Sequence, residues 1–178
     1  MPSSRAFTFI HAQFRFAASL VLAAGLLLTA GCGKSEKSVA APTPAAPPAG
    51  PSFAVLETDK GVVEFELLVS DAPKTTENFR LLAERGYYNG LTFHRIVKGF
   101  MIQGGDPQGD GRGGESAWGG KFADEIVKDS PLYQNGLGYK RGLVAMANAG
   151  PNTQGSQFFI LHTDFPLPAS YTIFGRVT

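Results

Sequence analysis

The chain has 178 residues, enough for one ordinary domain with extensions, and its 43% hydrophobic and 11% aromatic content is enough to build a core. That excludes wholesale disorder. The formal net charge is +1; the first 31 residues hold only Arg5 and Arg15, and the remainder carries 14 basic against 15 acidic residues. Such a balance excludes a basic nucleic-acid binder.

The single cysteine, Cys32, has no intramolecular disulfide partner. It follows a basic n-region with Arg5 and Arg15, an apolar run of 13 residues from Phe16 to Leu28, and the small residues Thr29-Ala30-Gly31. The run suits a signal h-region and is short for a membrane span. The segment resembles a bacterial lipoprotein signal, with Thr29 where such signals prefer Leu. It implies a leader over residues 1–31, cleavage before Cys32, lipid on the Cys32 sulfur and, from Gly33, sorting to the periplasmic face of the outer membrane. Residues 32–52, rich in Ala and Pro, cannot bury a core and read as an extended tether of roughly 60 Å at ~3 Å per residue.

Residues 53–58 and 62–68 flank Asp59-Lys60-Gly61, which predicts a β-hairpin. Pro73 at a helix start, Phe79, Leu82 and Ala83 at helical spacing and Gly86 as a stop predict one amphipathic helix. Around Lys98-Gly99, alternation predicts two short strands, with Phe93 and Arg95 on one face of the first and Met101 and Gln103 on one face of the second. On the residues alone, Arg95 is either aimed at a ligand or paired at a sheet edge with Asp106 or Glu115.

Residues 104–120 are glycine-rich and read as a long surface loop. Within it Gly109-Asp110-Gly111-Arg112-Gly113-Gly114 spells G-x-G-x-x-G, but the flanks lack the strand and helix that a dinucleotide site requires. Asp106 and Asp110 have calcium-loop spacing, yet Ala117 stands where the bidentate acid belongs. Residues 142–148 and 157–161 read as two further strands, the second with Gln157 and Phe159 on one face. An amide beside an aromatic, seen twice, suggests a groove with a few placed polar groups. A serine hydrolase built on Ser156 with His94 or His162 is disfavoured because the G-x-S-x-G elbow is missing.

Residues 93–105 and the run Met146-Ala147-Asn148-Ala149-Gly150-Pro151-Asn152-Thr153-Gln154-Gly155-Ser156-Gln157-Phe158-Phe159-Ile160 closely resemble the cyclophilin family of peptidyl-prolyl cis-trans isomerases. Residues 73–79, 121–125 and Phe174-Gly175 match as well, so the likeness covers residues 53–178. The resemblance implies a mainly-β fold, a cyclophilin-like antiparallel β-barrel capped by helices, here without the last helix and strand. It implies a catalytic arginine at Arg95, a proline pocket at Phe100, Met101 and Phe159 with Leu167 as its far wall, positioning amides at Gln103 and Gln157, and peptide-backbone contacts at Ala147 and Asn148. The family's tryptophan near that wall is replaced within Phe165-Pro166-Leu167-Pro168, and Tyr171 replaces a common histidine.

The implied partners are proline-containing polypeptides and, through Cys32, a membrane; no nucleic acid, metal or cofactor is called for, and a monomer is expected. A peptide-binding module that keeps the groove without turnover is the competing function.

Overall fold

The computed structural model describes residues 11–15, 51–134 and 139–178. Its elements are β1 (His11–Arg15), β2 (Ser52–Thr58), β3 (Gly61–Leu67), α1 (Pro73–Glu84), β4 (Arg95–Val97), β5 (Met101–Gly104), α2 (Pro131–Gln134), β6 (Leu143–Met146), β7 (Phe158–Leu161) and β8 (Ile173–Val177). The strands form one antiparallel sheet in the order β1-β2-β3-β8-β6-β7-β5-β4. The fold is mainly β, as expected.

Strand β1 falls inside the expected leader and pairs with β2, His11 opposite Glu57 and Arg15 opposite Phe53. The apolar run, Cys32 and the tether as far as residue 50 lie outside the described residues.

The first hairpin turns at Asp59-Lys60, with Thr58 opposite Gly61, whose φ of 131° suits glycine alone. The expected helix is present with Pro73 in its first turn, while Gly86, at φ 70°, follows its end. Ala72 supplies no side-chain cap. Instead Glu125, fifty residues on, accepts from the Lys74 N–H at 3.0 Å, the Thr75 N–H at 2.7 Å and the Thr75 hydroxyl at 2.7 Å. A carboxylate there satisfies orphan donors and complements the helix dipole.

Alternation along the central strands divides the core between the two faces of the sheet. On the helix side, Phe79 meets Phe65 and Phe158 edge-to-face at 5.5 and 5.4 Å, and Tyr88 and Phe174 complete the cluster. On the other side lie Met101, Leu143, Ala145, Phe159, Leu161 and Ile173. Local pattern did not predict β8, which fits between β3 and β6 because Gly175 carries no side chain. A Cβ there would stand 2.6 Å from the buried Phe65 ring.

One expectation is corrected. Phe93 does not share a face with Arg95: it packs into the helix-side core, edge-on to Phe158 at 6.2 Å. The strand begins only at Arg95, so a period of two does not extend back to Phe93.

Candidate active site

The Lys98-Gly99-Phe100 loop joins β4 to β5, with Gly99 at φ 74° and Phe100 N–H donating to the Val97 carbonyl at 3.1 Å. This hairpin places Arg95 opposite Gln103 and Val97 opposite Met101. Strand β7 then sets Phe159 opposite Gln103 and Leu161 opposite Met101, and β6 sets Ala145 opposite Phe159. Arg95, Gln103, Phe159 and Ala145 thus form one row across four strands, beside a second row of Val97, Met101 and Leu161. A cation lies at the solvent end of an apolar surface.

The cation is held by amides. Arg95 Nη1 donates to Gln103 Oε1 at 3.3 Å, and Gln103 Nε2 donates to Gln157 Oε1 at 2.9 Å. Gln157 Nε2 in turn donates to the carbonyls of Gly111 at 3.0 Å and Gly113 at 2.9 Å. The relay fixes both amide orientations, because each oxygen faces a donor and each nitrogen an acceptor. It occupies both Gln157 Nε2 protons, whereas the Arg95 fork, with five N–H donors, has one engaged. Arg95 is exposed and makes no ion pair among the described residues. The edge-pairing alternative fails because its partners are occupied: Asp106 accepts from backbone N–H groups, and Glu115 Oε2 accepts from Gly120 N–H at 3.4 Å.

Asp106 organises the glycine-rich loop. Its carboxylate accepts from the N–H groups of Gln108 at 3.0 Å, Asp110 at 3.1 Å and Gly111 at 2.7 Å. Burial opposes its charge, yet backbone N–H groups of Gln108, Gly111 and Gly113 outweigh that and hold its carboxyl below the usual range. The loop carbonyls that receive Gln157 therefore rest on a buried acid. His94 lies against this loop with neither ring nitrogen hydrogen-bonded among the described residues, and burial is the main cause that lowers its pKa.

Beside Arg95, Met101 and Phe159 are buried, and Phe100 and Leu167 pack half-buried against their cluster. Sequence reasoning missed two aromatic supports. Phe165 stacks on Phe100 with ring centroids 4.1 Å apart, and Tyr171 meets Phe159 edge-on at 5.5 Å. Both stand in the segment already singled out for its departures, but ring stacking across a loop leaves no periodic signal.

Ala147 and Asn148 continue past the end of β6. Ala147 N–H donates to the Gln157 carbonyl at 3.0 Å, while the Asn148 backbone N–H and carbonyl make no hydrogen bond among the described residues. The Asn148 side chain is anchored separately, Nδ2 donating to the Ser170 carbonyl at 2.7 Å. An extended peptide could add to that free backbone edge. Ser156, by contrast, is fully buried, its hydroxyl donating to the Gly105 carbonyl at 2.6 Å, and His162 Nε2 lies 2.9 Å from the Val97 carbonyl. No hydrolase arrangement exists among the described residues.

The mainly-β sheet thus carries an exposed arginine at the edge of an apolar cluster, beside a stretch of free backbone. The family model described as "Cyclophilin type peptidyl-prolyl cis-trans isomerase/CLD" matches residues 53–178, and the chain belongs to this family. Peptidyl-prolyl cis-trans isomerase-like 1 of Mus musculus is 55% identical over 128 residues, covering 71% of this chain and 74% of the relative. Peptidyl-prolyl cis-trans isomerase CYP18-1 of Arabidopsis thaliana is 54% identical over 123 residues, covering 68% and 73%. Among solved structures, a Cryptosporidium parvum cyclophilin-type isomerase superposes with a TM-score of 0.66 at 42% identity, covering 72% of this chain and 78% of that one. The same protein in the presence of the dipeptide Ala-Pro gives a TM-score of 0.63 at 44% identity, with 70% and 77% covered. The chain is a cyclophilin-type peptidyl-prolyl cis-trans isomerase.

Proposed function

We propose that this isomerase acts on exported proteins from a lipid anchor at Cys32, with Arg95 stabilising the twisted prolyl amide while Phe100, Met101, Phe159 and Leu167 hold the proline ring. Amide resonance gives the X-Pro bond its barrier of ~18–20 kcal/mol. Resonance is lost in the twisted state, so the prolyl nitrogen regains a lone pair that a positioned donor can meet. The Arg95 fork is permanently charged and bears on the twisted state more strongly than on either planar one.

Each ~1.4 kcal/mol is worth tenfold, so an acceleration of about 10⁵ takes only ~7 kcal/mol. A charged hydrogen bond, a preformed apolar pocket and orientation can share that. Gln103 and Gln157 are positioning residues, one amide and two amides removed from the reacting bond. The free Asn148 backbone would fix the residues ahead of the proline, so that one side turns against the other. Neither bond cleavage nor proton transfer is required.

The observation that carries this reading is the row that sets Arg95 beside Gln103 and Phe159, with Met101 next to it. A protease-coupled assay of the full chain on an Ala-Pro peptide tests it: catalysis is expected to fall steeply in Arg95→Ala, and equal rates would overturn the role. For the anchor, the basic leader, apolar run and Cys32 support export and lipidation. Metabolic labelling with a radioactive fatty acid in a bacterial host is expected to mark the wild type and not Cys32→Ser; label in neither would remove the anchor.

A further inference from the structure

His162 stands one residue past the end of β7 and takes no part in the Arg95 relay. It nevertheless meets both ends of the turn that joins β4 to β5. Its backbone N–H donates to the Phe100 carbonyl at 3.1 Å, and its ring Nε2 lies 2.9 Å from the Val97 carbonyl, which also accepts the Phe100 N–H. A carbonyl oxygen only accepts, so Nε2 carries the proton, in the neutral ring and in the imidazolium alike.

The turn needs such a tie. Strand β4 is three residues long and lies at the edge of the sheet, with β5 as its neighbour on one side. Lys98 and Gly99 are exposed, and a Cβ built at Gly99 would meet nothing within 4 Å. The imidazole therefore reaches from the exit of β7, past the end of β5, to hold the last residue of β4. From this turn the Phe100 ring is carried onto Phe165, at 4.1 Å between centroids, and against Phe159 at 6.4 Å.

We propose that His162 is a positioning residue for the proline pocket: its imidazole pins the end of β4 and so fixes the turn from which Phe100 meets the substrate. The inference rests on the reading given above in which Phe100 holds the proline ring. A pocket wall fixed before the substrate arrives spares the cost of ordering it on binding. The proline ring itself is the same in the planar and twisted states, so loosening its wall weakens both alike. Affinity falls, and turnover of bound peptide does not. The imidazole thus affects the step that Arg95 leaves alone.

The test uses the full chain as His162→Leu, His162→Gln, Phe100→Ala and the double variant His162→Leu, Phe100→Ala. Each is measured for on-enzyme exchange at saturating Ala-Pro peptide and for affinity by titration. His162 is exposed, so neither replacement disturbs the core. His162→Leu removes one neutral hydrogen bond and is expected to weaken affinity about fivefold, with exchange within about twofold of wild type. In His162→Gln an amide N–H can stand where Nε2 stood, and affinity is expected to return to within about twofold of wild type. Once Phe100 is Ala, His162→Leu is expected to add nothing, because the ring through which it acts is gone. Unchanged affinity in His162→Leu, a loss confined to exchange, no recovery in His162→Gln, or the same loss persisting without the Phe100 ring overturns the proposal. Wild-type affinity in Phe100→Ala refutes the pocket itself and the proposal with it, whereas weak binding in Phe100→Ala beside normal binding in His162→Leu sinks this inference alone.

Discussion

Arg95 and Gln103 stand directly opposite each other across β4 and β5, with the guanidinium Nη1 3.3 Å from the amide Oε1. Gln103 is therefore the first support of the cation, and the support is polar. Replacing it with Leu removes the acceptor for Arg95 and the donor to Gln157 together. A hydrogen bond to a charged group is worth about 1.5 kcal/mol at the low end, suited to this long contact, so kcat/KM is expected to fall about tenfold. Steady-state rates of Gln103→Leu beside Gln157→Leu check the order: the variant nearer Arg95 loses more.

The second support is Asp106. In Asp106→Asn one acceptor oxygen becomes a donor facing backbone N–H groups, at a cost of about 1–3 kcal/mol. Hydrogen exchange at Gln108 and Gly111 is expected to speed up, and Gln157 loses fixed carbonyl partners. Acid does the same in the wild type. Asp106 has a depressed carboxyl pKa, so its stabilisation is present above the ordinary value of 3.8 and is lost as pH falls through the lower folded value. His94 is also depressed, and its contribution goes earlier, as pH falls from 6.5 through its own lowered value. Urea unfolding at a series of acidic pH values checks the two stages.

Glu125 caps α1 from a distant loop, and it touches none of the proposed catalytic groups. Glu125→Ala is expected to cost about 1–2 kcal/mol of stability, the usual worth of a lost cap, with kcat little changed. Denaturant midpoints and turnover measured on the same preparation separate the two effects.

Alkaline pH acts through buried phenols. Burial pushes the Tyr133 hydroxyl up to about 12, against the lowering effect of the Ile173 N–H that it accepts. Tyr139, whose hydroxyl donates to the Tyr171 carbonyl at 2.7 Å, is raised in the same direction, again chiefly by burial. A raised folded pKa stabilises fully below the unfolded value of 10.0 and is lost as pH rises towards about 12. Stability is expected to decline across that interval, and an ultraviolet titration of the phenols in wild type and Tyr133→Phe checks it.

Much of the fold was legible because its signals are local. The Asp59-Lys60-Gly61 turn, Pro73 with Phe79, Leu82 and Ala83, and the alternation in 101–103 and 157–161 each report the geometry of their own segment. The pairing that sets Gln103 opposite Phe159 is between strands and was not legible there. What local pattern missed is tertiary. Glu125 reaches α1 across fifty residues, Phe165 meets Phe100 over a loop, and Asp106 captures N–H groups whose positions depend on a folded glycine-rich turn. Phe93 was misplaced for a related reason, since alternation says nothing about where a strand begins.

The central claim is that Arg95 acts on the twisted state and not on binding. Exchange spectroscopy at saturating Ala-Pro peptide measures the cis-trans rate on the enzyme, while a titration of the same samples gives affinity. Removing one preorganised donor costs about 100-fold in turnover, so Arg95→Ala is expected to lose roughly that in on-enzyme exchange, with affinity within about threefold of wild type. Unchanged exchange, or a loss confined to affinity, would contradict the account.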